Sequence, residues 1–153
     1  MKQHSKRFKV ILGLVIVLTV LFIFRNSLMN REESAEESLK LYYLLKPLLI
    51  KIIPEKYFTH ELLRKLAHFT EFGLLSFEMC ILLMYDNFKE KVYKILFFGL
   101  FTAVIDETIQ YFVGRGSMVL DCLIDFSGVV TVLIAFEVIR KLVMKKCKKE
   151  TVL

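Results

Sequence analysis

Arg64-Lys65-Leu66-Ala67-His68-Phe69-Thr70-Glu71-Phe72-Gly73-Leu74-Leu75-Ser76-Phe77-Glu78 opens an apolar run that continues to Tyr85. The length and apolarity of that run predict a membrane-spanning helix over about residues 66–85. At 3.6 residues per turn, Arg64, His68, Glu71, Leu75 and Glu78 fall on one stripe. Ionisable groups at mid-bilayer cost roughly 2.5–3.5 kcal/mol each on insertion scales. The protein must therefore supply partners for them from its other segments.

Composition points to the same class. Hydrophobic residues make up 56% of the 153, Phe occurs 14 times, and mean hydropathy is +0.53. Such a chain is expected to be an integral membrane protein whose helices pack through side-chain fit and polar contacts. The net charge of +6 does not indicate nucleic-acid binding, because the basic residues flank apolar runs, where they set topology and meet anionic lipid. Cys80, Cys122 and Cys147 lie far apart without a CxxC pair, which argues against a zinc ribbon or a disulfide framework.

Working outward, Lys2, Lys6, Arg7 and Lys9 lie at the head of an apolar run over residues 8–24 that after Lys9 is broken only by Thr19. The run exceeds an ordinary signal-peptide h-region and no small-x-small site follows, so it reads as a signal anchor. Residues 25–38 are polar and acidic and read as an external loop. In residues 39–53, Lys40, Tyr43, Pro47 and Lys51 recur at steps of three and four. That pattern predicts an amphipathic interfacial helix bent near Pro47. A charged turn over residues 86–94 precedes a third span at about 95–113. Gly114-Arg115-Gly116-Ser117 forms a tight loop, with Ser117 as N-cap of a fourth span at about 118–138. Gly73 and Gly128 are expected to allow close helix approach.

The expected fold is all-α: a single domain over residues 1–153 built as an integral membrane four-helix bundle, with an external interfacial helix between helices 1 and 2. With both termini cytoplasmic, Lys and Arg gather in the N-terminal tail, the 86–94 turn and the C-terminal tail, as the positive-inside rule requires.

This topology makes a prediction that periodicity alone cannot. At about 1.5 Å per residue, His68 with Glu71, Asp106 with Gln110, and Asp121 with Asp125 all lie within roughly 3–10 Å of the external edge. Arg64, Lys65 and Arg115 stand at the rim of that slab. Three helices are thus expected to bring one polar cluster together near the outer surface.

The ordered motifs Arg64-Lys65-x-x-His68-Phe69-x-Glu71-Phe72-x-x-Leu75, Asp106-Glu107-x-x-Gln110 and Gly114-Arg115-x5-Asp121-x3-Asp125-x2-Gly128 resemble those of the VanZ-like membrane family. The resemblance spans roughly residues 60–135. Phe72 stands where Tyr is often found, and Asp125 where many members have Asn. The resemblance implies a bacterial cell-envelope protein associated with glycopeptide resistance, teicoplanin above all, and leaves the mechanism open.

The chemistry suits a phosphate-bearing lipid head group or lipid-linked cell-wall precursor at the outer leaflet. Guanidinium groups such as Arg64 and Arg115 hold phosphate. Lys65, Glu107, Gln110 and Asp121 join them as candidate binding residues. His68, Glu71, Asp106 and Asp125 are the candidate catalytic set, with His68 as base or nucleophile and one closely spaced carboxylate kept protonated as acid. The alternative is a non-catalytic binding or shielding protein whose cluster is mainly structural, joining Arg64 to Glu71, His68 to Asp106 and Gln110 to Asp125. Glu78, the one deep group, reads as a hydrogen-bonded structural residue. His68, Glu71, Asp106 and Asp125 are also possible ligands of a divalent metal. No HExxH-type spacing occurs, so no metal and no cofactor is assigned.

Overall fold

Ser5, Asn30, Thr59 and Asn87 each accept a hydrogen bond from a backbone N–H two or three residues on, and each starts a helix. The computed structural model describes residues 5–51, 54, 56–116 and 119–150, with side chains to residue 146. Among the described residues there are five helices and no strand: α1 (Lys6–Leu28), α2 (Arg31–Leu49), α3 (His60–Leu82), α4 (Phe88–Phe112) and α5 (Val119–Glu150).

α3 is the hub and packs against each of the other four helices. Phe72, Leu75 and Cys80 of α3 meet Ile95 and Ala103 of α4 and Val129 of α5 in the buried core. α1 joins through Ile16, Ile23 and Ser27, a narrow seam at steps of seven and four. Most of its other apolar side chains, including Ile11, Leu14, Leu18 and Phe22, are exposed. α1 and residues Val119–Lys146 of α5 are long and apolar enough to cross a membrane. Only 11% and 28% of their most apolar stretches are buried, where a core helix of a water-soluble domain would be mostly covered.

Several boundaries differ from those expected. The acidic segment from Arg31 is helical, because Asn30 and Glu33 form a reciprocal capping box and Glu32 and Glu33 sit at the positive end of the helix dipole. α2 therefore begins eight residues before the expected amphipathic segment and runs through Pro47 to Leu49. Residues 52–53 of that segment lie outside the described residues. α3 starts at His60, capped by Thr59, rather than near residue 66, and ends before Tyr85. The expected 86–94 turn is shorter, since Asn87 caps α4 and residues 88–94 already belong to it. α5 continues past residue 138 to Glu150. The proposed N-cap Ser117 lies outside the described residues.

Two features fix the frame of the site. α4 ends in a Schellman motif: Arg115 N–H donates to Gln110 O and Gly114 N–H to Tyr111 O, each at 3.1 Å. Gly114 has φ 79°, where a Cβ would be strained, and the reversed chain brings Arg115 back toward α1. α3 and α5 cross at Gly73 and Gly128. A Cβ on Gly128 would lie 2.3 Å from the Phe69 carbonyl oxygen and 3.1 Å from its carbon. That obstacle is backbone, one residue from His68, so Gly128→Ala should force the helices apart and cost about 1–3 kcal/mol. Thermal unfolding of the purified protein in detergent checks this. Gly13→Ala, inside α1 with open space around its Cβ, should hold or raise the melting temperature.

Candidate functional site

His68, Asp106 and Asp125 come together from α3, α4 and α5. His68 Nδ1 lies 3.4 Å from Asp125 Oδ1 and 3.9 Å from Asp106 Oδ2. Both carboxylates are fully buried, whereas the imidazole is 18% exposed. Asp106 is held from two sides: Ser27 Oγ donates to Oδ1, and Gln110 Nε2 donates to Oδ2 at 2.8 Å. Asp125 differs, since neither of its oxygens receives a hydrogen bond from the protein. The His68 Nδ1 contact to it is close but lacks hydrogen-bond alignment. A buried carboxylate without donors is costly, and this one faces His68.

His68 opens into a cavity of about 260 Å³. Arg25, Arg64 and Arg115 line it together with Glu71, Ser38 and Asn26. A second cavity of about 180 Å³ shares Arg64 and Arg115 and adds Arg31, His60 and Asp121. Four guanidiniums therefore surround the two adjoining cavities. Arg115 donates from Nη1 to the Asn26 carbonyl at 2.9 Å. Burial and the neighbouring Arg64 charge both hold its pKa below the ordinary arginine value. Two guanidiniums crowded in this way present a strong field to an anion.

The expected cluster is thus partly assembled. Glu71 lines the larger cavity, but its Oε1 accepts from Asn26 Nδ2 at 3.1 Å rather than pairing with Arg64. Gln110 serves Asp106, not Asp125. Glu107 is buried on α4 beside Asp106 in sequence. Asp121 lines the second cavity and is not part of the triplet. Lys65 turns to Glu61 at 2.7 Å, a half-exposed pair in which the ammonium holds the Glu61 carboxyl below its usual range. Glu78 accepts from Thr19 Oγ1 at 2.9 Å, in keeping with a structural role.

Sequence reasoning missed the share of α1 and α2. Asn26 and Ser27 reach Glu71 and Asp106, and α2 closes one wall of the cavity through Ser34, Glu37 and Ser38. α2 is tied down where Ser38 Oγ meets His60 Nε2 and where Tyr42 stacks on Phe58 at 5.0 Å. The signals were present: Thr19, Ile23 and Ser27 recur at four-residue steps, and Asn30-x-x-Glu33 is a capping box. A second buried ionic group also went unseen. Lys91, fully buried, pairs with Glu137, which accepts in turn from Arg140 Nη2 at 2.9 Å.

No curated protein and no solved structure matches the chain. The family model described as VanZ/LLP1 matches residues 10–140, which include all three polar motifs, and the chain belongs to that family.

Proposed function

We propose that this protein is a four-span membrane protein of the cell envelope, with both termini cytoplasmic and α2 lying at the outer surface. In this reading its cavity takes a phosphate-bearing lipid head group, free or on a lipid-linked cell-wall precursor, from the outer leaflet. The observation that carries the proposal is the sharing of one cavity wall by Arg64, Arg115 and His68. Guanidiniums bind phosphate bidentately, and His68 is then the titratable group presented to the bound head group. The exposed apolar faces of α1 and α5 support burial in lipid.

In this scheme Arg64, Arg115 and Arg25 hold the anion. His68, backed by Asp106 and Asp125, exchanges a proton with it or donates to it, while Glu71 and Asn26 set one side of the pocket. Gln110 and Ser27 act through Asp106 by fixing its carboxylate. Lys65 and Asp121 lie farther out and bear on approach of the head group. The family resemblance suggests resistance to teicoplanin as the accompanying phenotype.

Mass spectrometry of lipids and lipid-linked precursors tests the proposal, using cells that express wild type or His68→Ala to matched levels. A head-group change present with wild type and reduced at least about 100-fold in His68→Ala is the result expected of a proton-transfer residue. An unchanged profile, with resistance still dependent on His68, would favour binding or shielding without turnover.

A further inference from the structure

We infer that His68, Asp106 and Asp125 form the binding site of a single transition-metal dication, Zn²⁺ or Mn²⁺, behind the stretch of cavity wall that His68 lines. The inference deepens the preceding reading and rests on it only for the role of the cation, not for its binding. One donor atom from each residue lies within 4.8 Å of the other two. Donors held tetrahedrally by a common ion at about 2.0–2.2 Å stand about 3.3–3.6 Å apart, so the side chains must close in by roughly 1 Å at the widest pair to complete the set.

Asp125 provides the independent observation. It is fully buried, faces His68, and neither of its oxygens accepts a hydrogen bond from the protein. His68 Nδ1 is likewise buried without a hydrogen bond. Native proteins rarely leave three buried polar atoms unsatisfied around one point, and a cation would satisfy His68 Nδ1 and one Asp125 oxygen directly. Asp106 has the support expected of a ligand, since Ser27 and Gln110 fix its two oxygens while lone pairs remain for a metal. The charge count agrees. Two carboxylates, a neutral imidazole and a dication sum to zero, which suits a site of low dielectric.

One nitrogen and two carboxylate oxygens favour a borderline first-row ion over Mg²⁺, which prefers oxygen ligands and retains its water. The 18% exposure of His68 leaves the site open on the cavity side. With Nδ1 on the metal, His68 carries its proton on Nε2 and is a donor to the bound anion rather than a base. The arginines would then hold the phosphate from one side and the cation would face it from the other.

The test uses the full-length protein purified in detergent after chelator treatment, titrated with Zn²⁺ or Mn²⁺ and assayed by elemental analysis and thermal unfolding. One ion per chain is expected, with a raised melting temperature. Asp125→Asn, which preserves shape, should weaken binding more than about 100-fold, and Gln110→Leu, acting through Asp106, by about 10–100-fold. Should Asp125→Asn fail to fold, His68→Gln replaces it. Folded wild type that takes up no metal at millimolar concentrations overturns the inference, as does uptake unchanged by these substitutions. Binding of a phosphate-bearing lipid, measured separately in chelator, distinguishes the two failures. Metal uptake without lipid binding defeats the cavity reading alone, and lipid binding by a protein that takes up no metal defeats the metal site alone.

Discussion

Lys91→Met should lower the stability of the folded protein by about 3 kcal/mol, the low end of the range for breaking a buried ion pair. Lys91 is fully buried on α4 and its ammonium pairs with Glu137 of α5. Methionine fills the same space but leaves the Glu137 carboxylate with Arg140 alone, at 2.9 Å and 3.2 Å. Arg140 is partly exposed and moderates the loss. The control is Lys91→Met combined with Glu137→Leu. Removing both charges together should restore stability to within about 1 kcal/mol of wild type, because the desolvation cost disappears with them. Thermal unfolding in detergent measures all three proteins. A single substitution as stable as wild type would mean that the pair does not bind α4 to α5.

The two ionic groups differ in how far the chain discloses them. His68, Asp106 and Asp125 meet from three helices, and the expected order of spans with the helical rise per residue is enough to place them at one level, which periodicity alone is not. Lys91 belongs to a run of charges, Lys89-Glu90-Lys91, which reads as solvated surface. Its partner lies 46 residues away on a helix whose expected span ends one residue past it. Pairing of that kind depends on where α4 begins, and a side-chain cap on Asn87 fixes it. The same physics explains the polar end of α1. Hydropathy falls at Arg25, yet the helix continues to Leu28, and that last turn carries Asn26 and Ser27 into the site. Element type was legible for the apolar helices, whereas the acidic stretch from Arg31, which reads as loop, is the first half of α2. Helix boundaries and the partners of Lys91, Glu71 and Ser27 were not legible, because caps and tertiary contacts set them rather than periodicity.

Replacing Arg64 and Arg115 together with Ala should weaken binding of a phosphate-bearing lipid by at least about 100-fold. A hydrogen bond to a charged group contributes about 1.5–3 kcal/mol, so two guanidiniums facing one phosphate contribute about 3–6 kcal/mol before losses to solvent screening. Each single substitution should show part of the effect. Arg115→Ala should also loosen α1, since the Nη1 bond to the Asn26 carbonyl is lost with it. Arg64→Ala breaks no hydrogen bond or ion pair among the described residues and is the cleaner probe of binding. Arg140→Ala, on α5 and outside both polar cavities, should leave lipid binding unchanged.

Native mass spectrometry of the purified protein tests the central claim most directly. Wild type should carry a phosphate-bearing lipid through purification or take one up from mixed micelles, and the Arg64→Ala/Arg115→Ala protein, equally folded, should not. Equal lipid occupancy in the two proteins would contradict an arginine-lined head-group cavity.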